Sequence, residues 1–297
     1  MAPRNRQGLY DPRSERDACG FGMVAQLDDQ PSRLLVDTAI AALSRMTHRG
    51  GVAADGLTGD GCGLLLRRPD AFLKLLASEA GIAVGARFTA GLVFLPHDAD
   101  AAQACRTQLQ QQIEAVGCKV AGWREVPTDD SVCGQLARDT LPRIEQVFVD
   151  AGVGQDDAGF ALALFLARRR SEQQLREHAD FYVTTLTPDA ISYKGMVLPD
   201  KLSRFFPDLQ RRELASSAIV FHQRFSTNTL PRWPLRKLSR VARKKSACWP
   251  PMIGVSGNEA TPVIPWQLSH TCLTTLGITK PWGGRTGNGR TPPKWSA

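Results

Sequence analysis

The stretch CGFGMVA, residues 19–25, decides the fold, because it places a cysteine and a glycine directly before an alternating apolar run. Alternation of this kind predicts a buried strand over residues 20–27. The preceding segment, residues 1–18, is rich in arginine, acids and proline and contains no apolar run. We therefore expect the folded domain to begin at Cys19, which raises the question of why a cysteine stands there.

Composition places the chain among ordinary globular proteins. Of its 297 residues, 42% are hydrophobic and 22% are charged, which is typical of a domain with a sizeable core. The amino-terminal residues lack the apolar centre of a secretory signal, and no stretch reaches the roughly 18 apolar residues that a membrane span needs. The seven cysteines are scattered and form no CxxC pair. We predict a reduced, cytoplasmic protein with no metal site and no membrane partner.

The net charge of +8 belongs to the carboxyl-terminal segment. Residues 236–297 contain ten Lys and Arg against one acid, Glu259, so the rest of the chain is close to neutral. This segment is rich in Pro, Trp, Gly, Ser and Thr and has neither helical nor strand periodicity. We predict a basic, disordered tail over residues 236–297. A nucleic-acid partner is not favoured, because the body of the protein has no excess of basic residues.

Hydrophobic periodicity predicts a mixed domain of helices and strands over residues 19–235. Predicted strands are 20–27, 62–66, 88–95, 119–126, 160–166 and 218–221, and predicted helices are 32–48, 70–80, 98–116 and 198–206. The stretch FYVTTLT (181–187), the turn Pro188-Asp189 and the stretch ISYKGMV (191–197) indicate a β-hairpin.

One glycine-rich stretch is a candidate for a functional loop. THRGGVAADGLTGDGCG (47–63) leads from a predicted helix into a predicted strand. It contains neither a dinucleotide-binding nor a P-loop fingerprint, and Asp55 and Asp60 are too few acids for a calcium loop. From these residues alone, a structural turn and a ligand loop both remain open.

A second candidate, HQRFSTNTLPRW (222–233), places Arg224 just beyond an apolar strand. A guanidinium at a strand end can bind a carboxylate through two parallel hydrogen bonds. The polar side chains that follow, from Ser226 to Thr229, can hold the rest of a small polar ligand. An ordinary surface ion pair of Arg224 is the alternative.

Four motifs together resemble one known family. CGFGMVA, HRGGVAADGLTGDGCG, YKGM (193–196) and HQRFSTNTLPRWPL occur in the order and at the spacing of the amino-terminal amidotransferase domain of the glutamate synthase large subunit, a class-II glutamine amidotransferase. The resemblance covers residues 1–235. It implies an α+β fold, the four-layer αββα sandwich of the amino-terminal-nucleophile (Ntn) hydrolases.

The resemblance also implies a reason for the position of Cys19. In the family the preceding segment is a propeptide, so residues 1–18 would be removed by cleavage of the Ala18–Cys19 bond. A free α-amino group, with a reference pKa of about 8, can accept the thiol proton, so that one residue supplies both nucleophile and base. For a cysteine taken alone, a buried core position on a strand is the alternative.

A substrate and its contacts follow from the same resemblance. Cys19 would attack the side-chain amide of L-glutamine, release ammonia and form a thioester that water hydrolyses. Arg224 would grip the α-carboxylate of the substrate, with Thr227 and Asn228 close to the ligand.

Three further residues would support the nucleophile. Gly20, which has no side chain, would let the chain turn sharply and the substrate approach. Arg49 would order the nucleophile region, and Asp55 would stabilise the glycine-rich loop.

Partners and cofactors are implied by the intact family. There the ammonia passes through a tunnel to a synthase domain that holds FMN and an iron–sulfur cluster, and a small subunit oxidises NADPH. We expect no cofactor in the present chain.

The sequence departs from the family after WPL (233–235). Family members continue with His-Asn-Gly-Glu-Ile-Asn, whose Asn-Gly pair supplies the oxyanion hole, and residues 236–297 contain no such segment. An out-of-frame reading would produce a break of this kind. We therefore expect a sandwich that is truncated and incomplete on its carboxyl-terminal side, without the FMN domain, and weak or absent turnover.

Three other functions stay open. A non-catalytic remnant would bind glutamine or a partner protein through Arg224 and its neighbours. A nucleic-acid binder would act through the basic run RKLSRVARKK (236–245) and show strongly salt-dependent binding. The same hydrolase fold could serve another acceptor domain, although the glutamate-synthase-like motif at 222–235 argues against it.

Overall fold

Two antiparallel four-stranded sheets lie at the centre of the protein, which is represented by a computed structural model that describes residues 19–226 and 231–233. The strands are β1 (Gly20–Ala25), β2 (Thr58–Arg67), β3 (Phe88–Leu95), β4 (Lys119–Glu125), β5 (Arg143–Asp150), β6 (Tyr182–Thr185), β7 (Ala190–Val197) and β8 (Ala218–Gln223). The first sheet has the order β1-β8-β2-β7 and the second the order β4-β5-β3-β6. The predicted propeptide and the predicted tail lie outside the described residues.

Helices flank the two sheets. They are α1 (Arg33–Ser44), α2 (Asp70–Glu79), α3 (Ala99–Glu114), α4 (Gln135–Asp139), α5 (Asp157–Gln174) and α6 (Leu202–Phe205), with 3-10 turns at Thr47–Arg49, Asp130–Val132, Pro199–Lys201 and Pro207–Gln210. Aspartate side chains cap the two longest helices: Asp98 accepts from the Ala101 N–H at 2.9 Å, and Asp156 accepts from the Gly159 N–H at 2.7 Å. Within the described residues, no helix combines the length and the apolar character that crossing a membrane requires.

The elements stack as helix, sheet, sheet and helix. Helix α1 packs on β1 and β8, strand β7 contacts β3 and β6 of the second sheet, and α3 and α5 pack on each other and on the second sheet. Strand β3 shows how the layers meet, because alternate side chains of a strand point to opposite faces. Leu92 and Phe94 enter the core that the two sheets share, whereas Val93 and Leu95 enter the core under α3 and α5. The predicted α+β sandwich is confirmed.

The strand predicted at 160–166 is wrong, because these residues lie within α5. Leucines alternate with alanines there, which imitates a strand, but alanine is also a strong helix former. The buried residues Phe160, Ala163, Leu164 and Ala167 follow helical spacing, while Leu162 is half exposed. The Asp156 cap was the signal that marks the start of the helix.

The predicted hairpin at 181–197 is also wrong in its pairing. Both strands exist, but β6 pairs with β3 in the second sheet and β7 pairs with β2 in the first. Hydroxyl contacts join them face to face instead, since the Ser192 N–H donates to Thr185 Oγ1 at 3.1 Å. Strand β5 was not predicted, and the helix predicted at 198–206 is divided into a 3-10 turn and the short α6.

A buried ion pair connects the second sheet to the first. Arg124 on β4 donates to both carboxylate oxygens of Asp208, at 2.9 and 2.8 Å, and the Tyr193 hydroxyl on β7 lies 3.1 Å from the same carboxylate. Only 2% of the Asp208 side chain and 12% of the Arg124 side chain are exposed. Burial, with the negative charge of Asp208, raises the pKa of the Tyr193 hydroxyl, so this residue stays a neutral donor.

Removal of Asp208 is expected to destabilise the fold strongly, because Arg124 would be left buried without its partner. We predict that Asp208→Ala lowers the free energy of unfolding by about 3–5 kcal/mol, measured by urea denaturation. The matched control is Asp200→Ala, which removes a pair with Lys201 whose two side chains are 43% and 37% exposed; its loss should cost no more than about 1 kcal/mol. Equal losses in the two variants would contradict the structural role of the Arg124–Asp208 pair.

Candidate active site

The Cys19 thiol lies beside the backbone that follows β8. The Phe225 N–H donates to Cys19 Sγ at 3.4 Å, and Sγ lies 3.8 Å from the Phe225 carbonyl oxygen. Register explains this contact, because Gly20 pairs with Gln223 across β1 and β8. The first residue before β1 therefore meets the first residues after β8. Cys19 is half-buried.

Gly20 is closely packed, so that a side chain there would have to displace its neighbours. A Cβ at this position would lie 2.9 Å from Met46 Cε and 3.1 Å from Arg49 Cβ, closer than ordinary van der Waals contact. Arg49 ends the 3-10 turn Thr47–Arg49, and its aliphatic stem covers the backbone next to Cys19. This position is compatible with the predicted ordering role of Arg49, which stays a prediction.

Asp60 ties the two candidate loops together, and sequence reasoning missed it. One carboxylate oxygen, Oδ2, accepts from the Gly51 N–H at 3.1 Å and from the Ser226 N–H at 2.6 Å. The glycine-rich loop is thereby fixed to the backbone that contacts the thiol. A signal was present in the sequence, since Asp60 is a lone acid between two glycines in a strand that otherwise turns apolar.

Asp55 stabilises the glycine-rich loop from within. Its carboxylate accepts from the N–H groups of Leu57, Thr58 and Leu136, at 3.1, 2.8 and 3.1 Å, and from the Thr58 hydroxyl at 2.6 Å. Hydrogen bonds from the Thr58 side chain and backbone hold the pKa of Asp55 well below its usual range. The contacts are those of a loop anchor, as its predicted supporting role requires.

Arg224 lies where the sequence predicted, at the end of β8. Its N–H donates to the Gly61 carbonyl at 2.9 Å, and its guanidinium lies 3.2 Å from Ser226 Oγ and 3.5 Å from the Asp60 carbonyl oxygen. Thr227 and Asn228, predicted beside the ligand, lie outside the described residues.

A small cavity adjoins the Arg224 guanidinium. Its volume is about 30 Å³, enough for one or two waters or one small polar group. Its wall combines charged groups with aromatic rings: Asp60, Lys194, His222, Arg224, Arg232, Phe94 and Trp233. Burial and the nearby charge of Arg224 lower the pKa of His222 to about 4, so the imidazole is neutral at pH 7.

Metal-binding groups are not assembled in this part of the chain. Among residues 19–226 and 231–233, no three or more His, Cys, Asp or Glu side chains lie close enough together to hold a metal ion.

Comparison with known proteins identifies the family. The family model for class-II glutamine amidotransferases matches residues 19–245. The chain is 41% identical over 236 residues to the NADPH glutamate synthase large chain of Azospirillum brasilense, covering 78% of this chain and 16% of that protein. The corresponding large chain of Bacillus subtilis is 36% identical over 229 residues, covering 76% of this chain and 15% of the relative. Ferredoxin-dependent glutamate synthase 1 of Arabidopsis thaliana is 37% identical over 237 residues, covering 78% of this chain and 15% of that protein.

The chain therefore belongs to the class-II glutamine amidotransferases, as the four motifs predicted. It spans only about one sixth of the length of these relatives, 15–16% of each.

The contribution of Asp55 to stability is expected to depend on pH. Because folding lowers its pKa, the stabilisation is fully present above the unfolded pKa of about 3.9 and is lost as the pH falls toward the folded pKa. We predict that Asp55→Asn lowers the urea midpoint at pH 7 and that the difference from the wild type narrows below about pH 4. Asp180→Asn, at an exposed turn residue, is the control and should leave the midpoint unchanged at either pH. A difference for Asp55→Asn that stays constant from pH 7 to pH 3 would contradict the linkage.

Proposed function

We propose that this chain hydrolyses L-glutamine to L-glutamate and ammonia, with Cys19 as the nucleophile. The contact between the Cys19 thiol and the Phe225 backbone carries this proposal. It joins the nucleophile to the residue directly after Arg224, the proposed ligand of the substrate α-carboxylate. A substrate held at Arg224 by one end has its other end in the neighbourhood of the thiol.

The proposed chemistry begins with cleavage of the Ala18–Cys19 bond, which frees the α-amino group of Cys19. That amine takes the proton of the thiol, and the thiolate attacks the side-chain amide carbon of glutamine. The C–N bond breaks, the nitrogen takes a proton from the α-ammonium group, and ammonia leaves. Water then hydrolyses the thioester, so that glutamate forms and the thiol is restored.

Substrate binding is assigned to residues around the end of β8. The Arg224 guanidinium would pair with the α-carboxylate, and Thr227 and Asn228 would hold polar groups of the same ligand. Asp60 and Asp55 would act indirectly, by fixing the loops that carry Gly51 and Ser226.

Turnover is proposed to be slow. Losing one oxyanion donor typically lowers kcat by about 10²–10³, and the sequence contains no His-Asn-Gly-Glu-Ile-Asn segment. The full oxyanion pair of the family therefore has no counterpart at the expected place.

The relatives give the reaction a wider setting. They are named glutamate synthases, NADPH-linked in two cases and ferredoxin-dependent in the third. We propose the same setting here, in which the ammonia serves glutamate synthesis in the cytoplasm. FMN and an iron–sulfur cluster would then be held by a synthase domain, and a small NADPH-oxidising subunit would be a partner.

Glutamine hydrolysis is tested by the release of ammonia and glutamate from L-glutamine by the purified chain. We expect slow release that Cys19→Ala abolishes. Cys105→Ala is the matched control, because this cysteine is buried in the second core and far in the fold from the thiol site. Mass spectrometry of the same samples shows whether residues 1–18 are removed.

The results of this experiment distinguish glutamine hydrolysis from glutamine binding without turnover. Equal release by the wild type and Cys19→Ala would contradict catalysis by Cys19. Binding of L-glutamine without any release would favour the non-catalytic remnant.

A further inference from the structure

Lys194 is a buried lysine in the middle of β7. Only 7% of the residue is exposed, and its Nζ has no hydrogen-bond partner within the described part of the chain. Two aromatic rings of the second sheet face the amine: Nζ lies 3.8 Å from the centroid of Tyr182 and 5.6 Å from that of Phe94. A ring face attracts a cation but offers no lone pair along each N–H bond.

This amine is not needed for packing. A methionine would fill the same unbranched volume between the rings without removing a charge from water, whereas a buried ammonium without hydrogen bonds is costly. Burial and the charges of Arg168 and Arg224 accordingly lower the pKa of Lys194 well below its usual value. A buried amine without a hydrogen-bond acceptor among the described residues therefore indicates a ligand.

The amine lines the cavity next to Arg224. In the first sheet, Gly63 on β2 pairs with Lys194 on one side and with His222 on the other. The glycine has no side chain, so no side chain of β2 stands between Lys194 and His222. Lys194 and Arg224 thus reach one space of about 30 Å³ from different strands.

Positive charge dominates the surroundings of this space. Arg168 on α5 is paired with Glu172 at 2.8 Å, His222 is neutral at pH 7, and Arg232 also lines the wall. The acid at the wall is Asp60, whose Oδ2 is already bonded to two backbone N–H groups. A carboxylate brought by a ligand would therefore meet more cationic than acidic side chains at this wall.

We propose that Lys194 and Arg224 form a two-cation pocket for the α-carboxylate of a free amino acid, with Lys194, a residue of the YKGM motif for which the sequence predicted no role, as an additional binding residue. The inference rests on the proposed function and adds a residue to it. An amino acid fits better than an inorganic anion, because the residue after Arg224 contacts the Cys19 thiol, and an amino acid, unlike an inorganic anion, carries further groups that the proposed nucleophile could meet.

Proton uptake follows from this arrangement. Burial and the nearby charges lower the pKa of the Lys194 amine in the empty pocket, and a carboxylate beside it favours the ammonium form. Binding of an amino acid is therefore expected to favour proton uptake at Lys194, which an arginine at the same position, always protonated, would not show.

The test is calorimetric titration of the full chain with L-glutamate, which binds without turnover. Titration in buffers of different ionisation enthalpy gives the number of protons taken up. We expect Lys194→Met to weaken binding by about tenfold or more and to abolish proton uptake. Lys194→Arg is expected to bind more tightly than Lys194→Met, also without proton uptake. Lys74→Met, at an exposed lysine on α2, should behave like the wild type.

Folding is checked by thermal unfolding of each variant, since Lys194→Met removes a buried polar group and should leave the chain at least as stable. Equal affinity and equal proton uptake in Lys194→Met and the wild type would overturn the proposal, as would a wild type that binds no glutamate. Sodium chloride and acetate form a second arm. Saturable binding of these anions with the same Lys194 dependence, and no preference for glutamate, would mark a pocket for simple anions and overturn the amino-acid assignment.

This test is separate from that of catalysis. Cys19→Ala should bind glutamate like the wild type. If this variant releases no ammonia but still binds glutamate, the result agrees with the proposed pocket. Turnover by the wild type with an unchanged KM in Lys194→Met would contradict the pocket and leave glutamine hydrolysis standing.

Discussion

The position of β8 between β1 and β2 is the constraint on which the site depends. Gln223 pairs with Gly20 on one side and with Cys62 on the other. This register brings the thiol of Cys19, the backbone of Phe225 and the Asp60 carboxylate together at one end of the sheet. A shift of one residue would turn Arg224 to the opposite face and separate it from the cavity. The geometry of the candidate site is thus set by backbone pairing rather than by any single side-chain contact.

Acidic and cationic side chains make different contacts in the candidate site. Loops around the thiol are fixed by carboxylates that accept backbone N–H groups, as Asp55 and Asp60 do. The neighbouring cavity instead has cationic side chains and aromatic rings, among them Lys194 and Arg224. The acids therefore fix the loops, while the cations lie at the cavity that we propose to bind a ligand. Such a division holds the loops in place whether or not the pocket is filled.

Much of this arrangement was predictable from sequence because it is local. Strand β3 and helices α1–α3 follow clear periodicity, and Cys19 and Arg224 stand in motifs that a family resemblance identifies. The strand prediction at 160–166 failed because alternating Leu and Ala are compatible with a strand and with a helix. The Asp156 cap is the local signal that indicates the helix. Pairing partners were beyond reach, since β6 and β7 are adjacent in sequence yet belong to different sheets. Asp60 and Lys194 gain their meaning only from contacts with distant strands, so their residue types alone gave no assignment.

The pairing of β1 with β8 has a consequence for how the protein is made. Cys19 and Phe225 are 206 residues apart in the chain, and bringing such distant segments together is slow because the loop between them must first be closed. On the ribosome, β1 emerges early and has no partner from β8 until nearly all of the domain has been synthesised. The second sheet and its helices, built from shorter-range contacts, can assemble in the meantime. Cys19, the proposed nucleophile, is therefore synthesised before β8 but reaches its final position after it, so that the thiol meets the backbone after Arg224 only when most of the domain has folded.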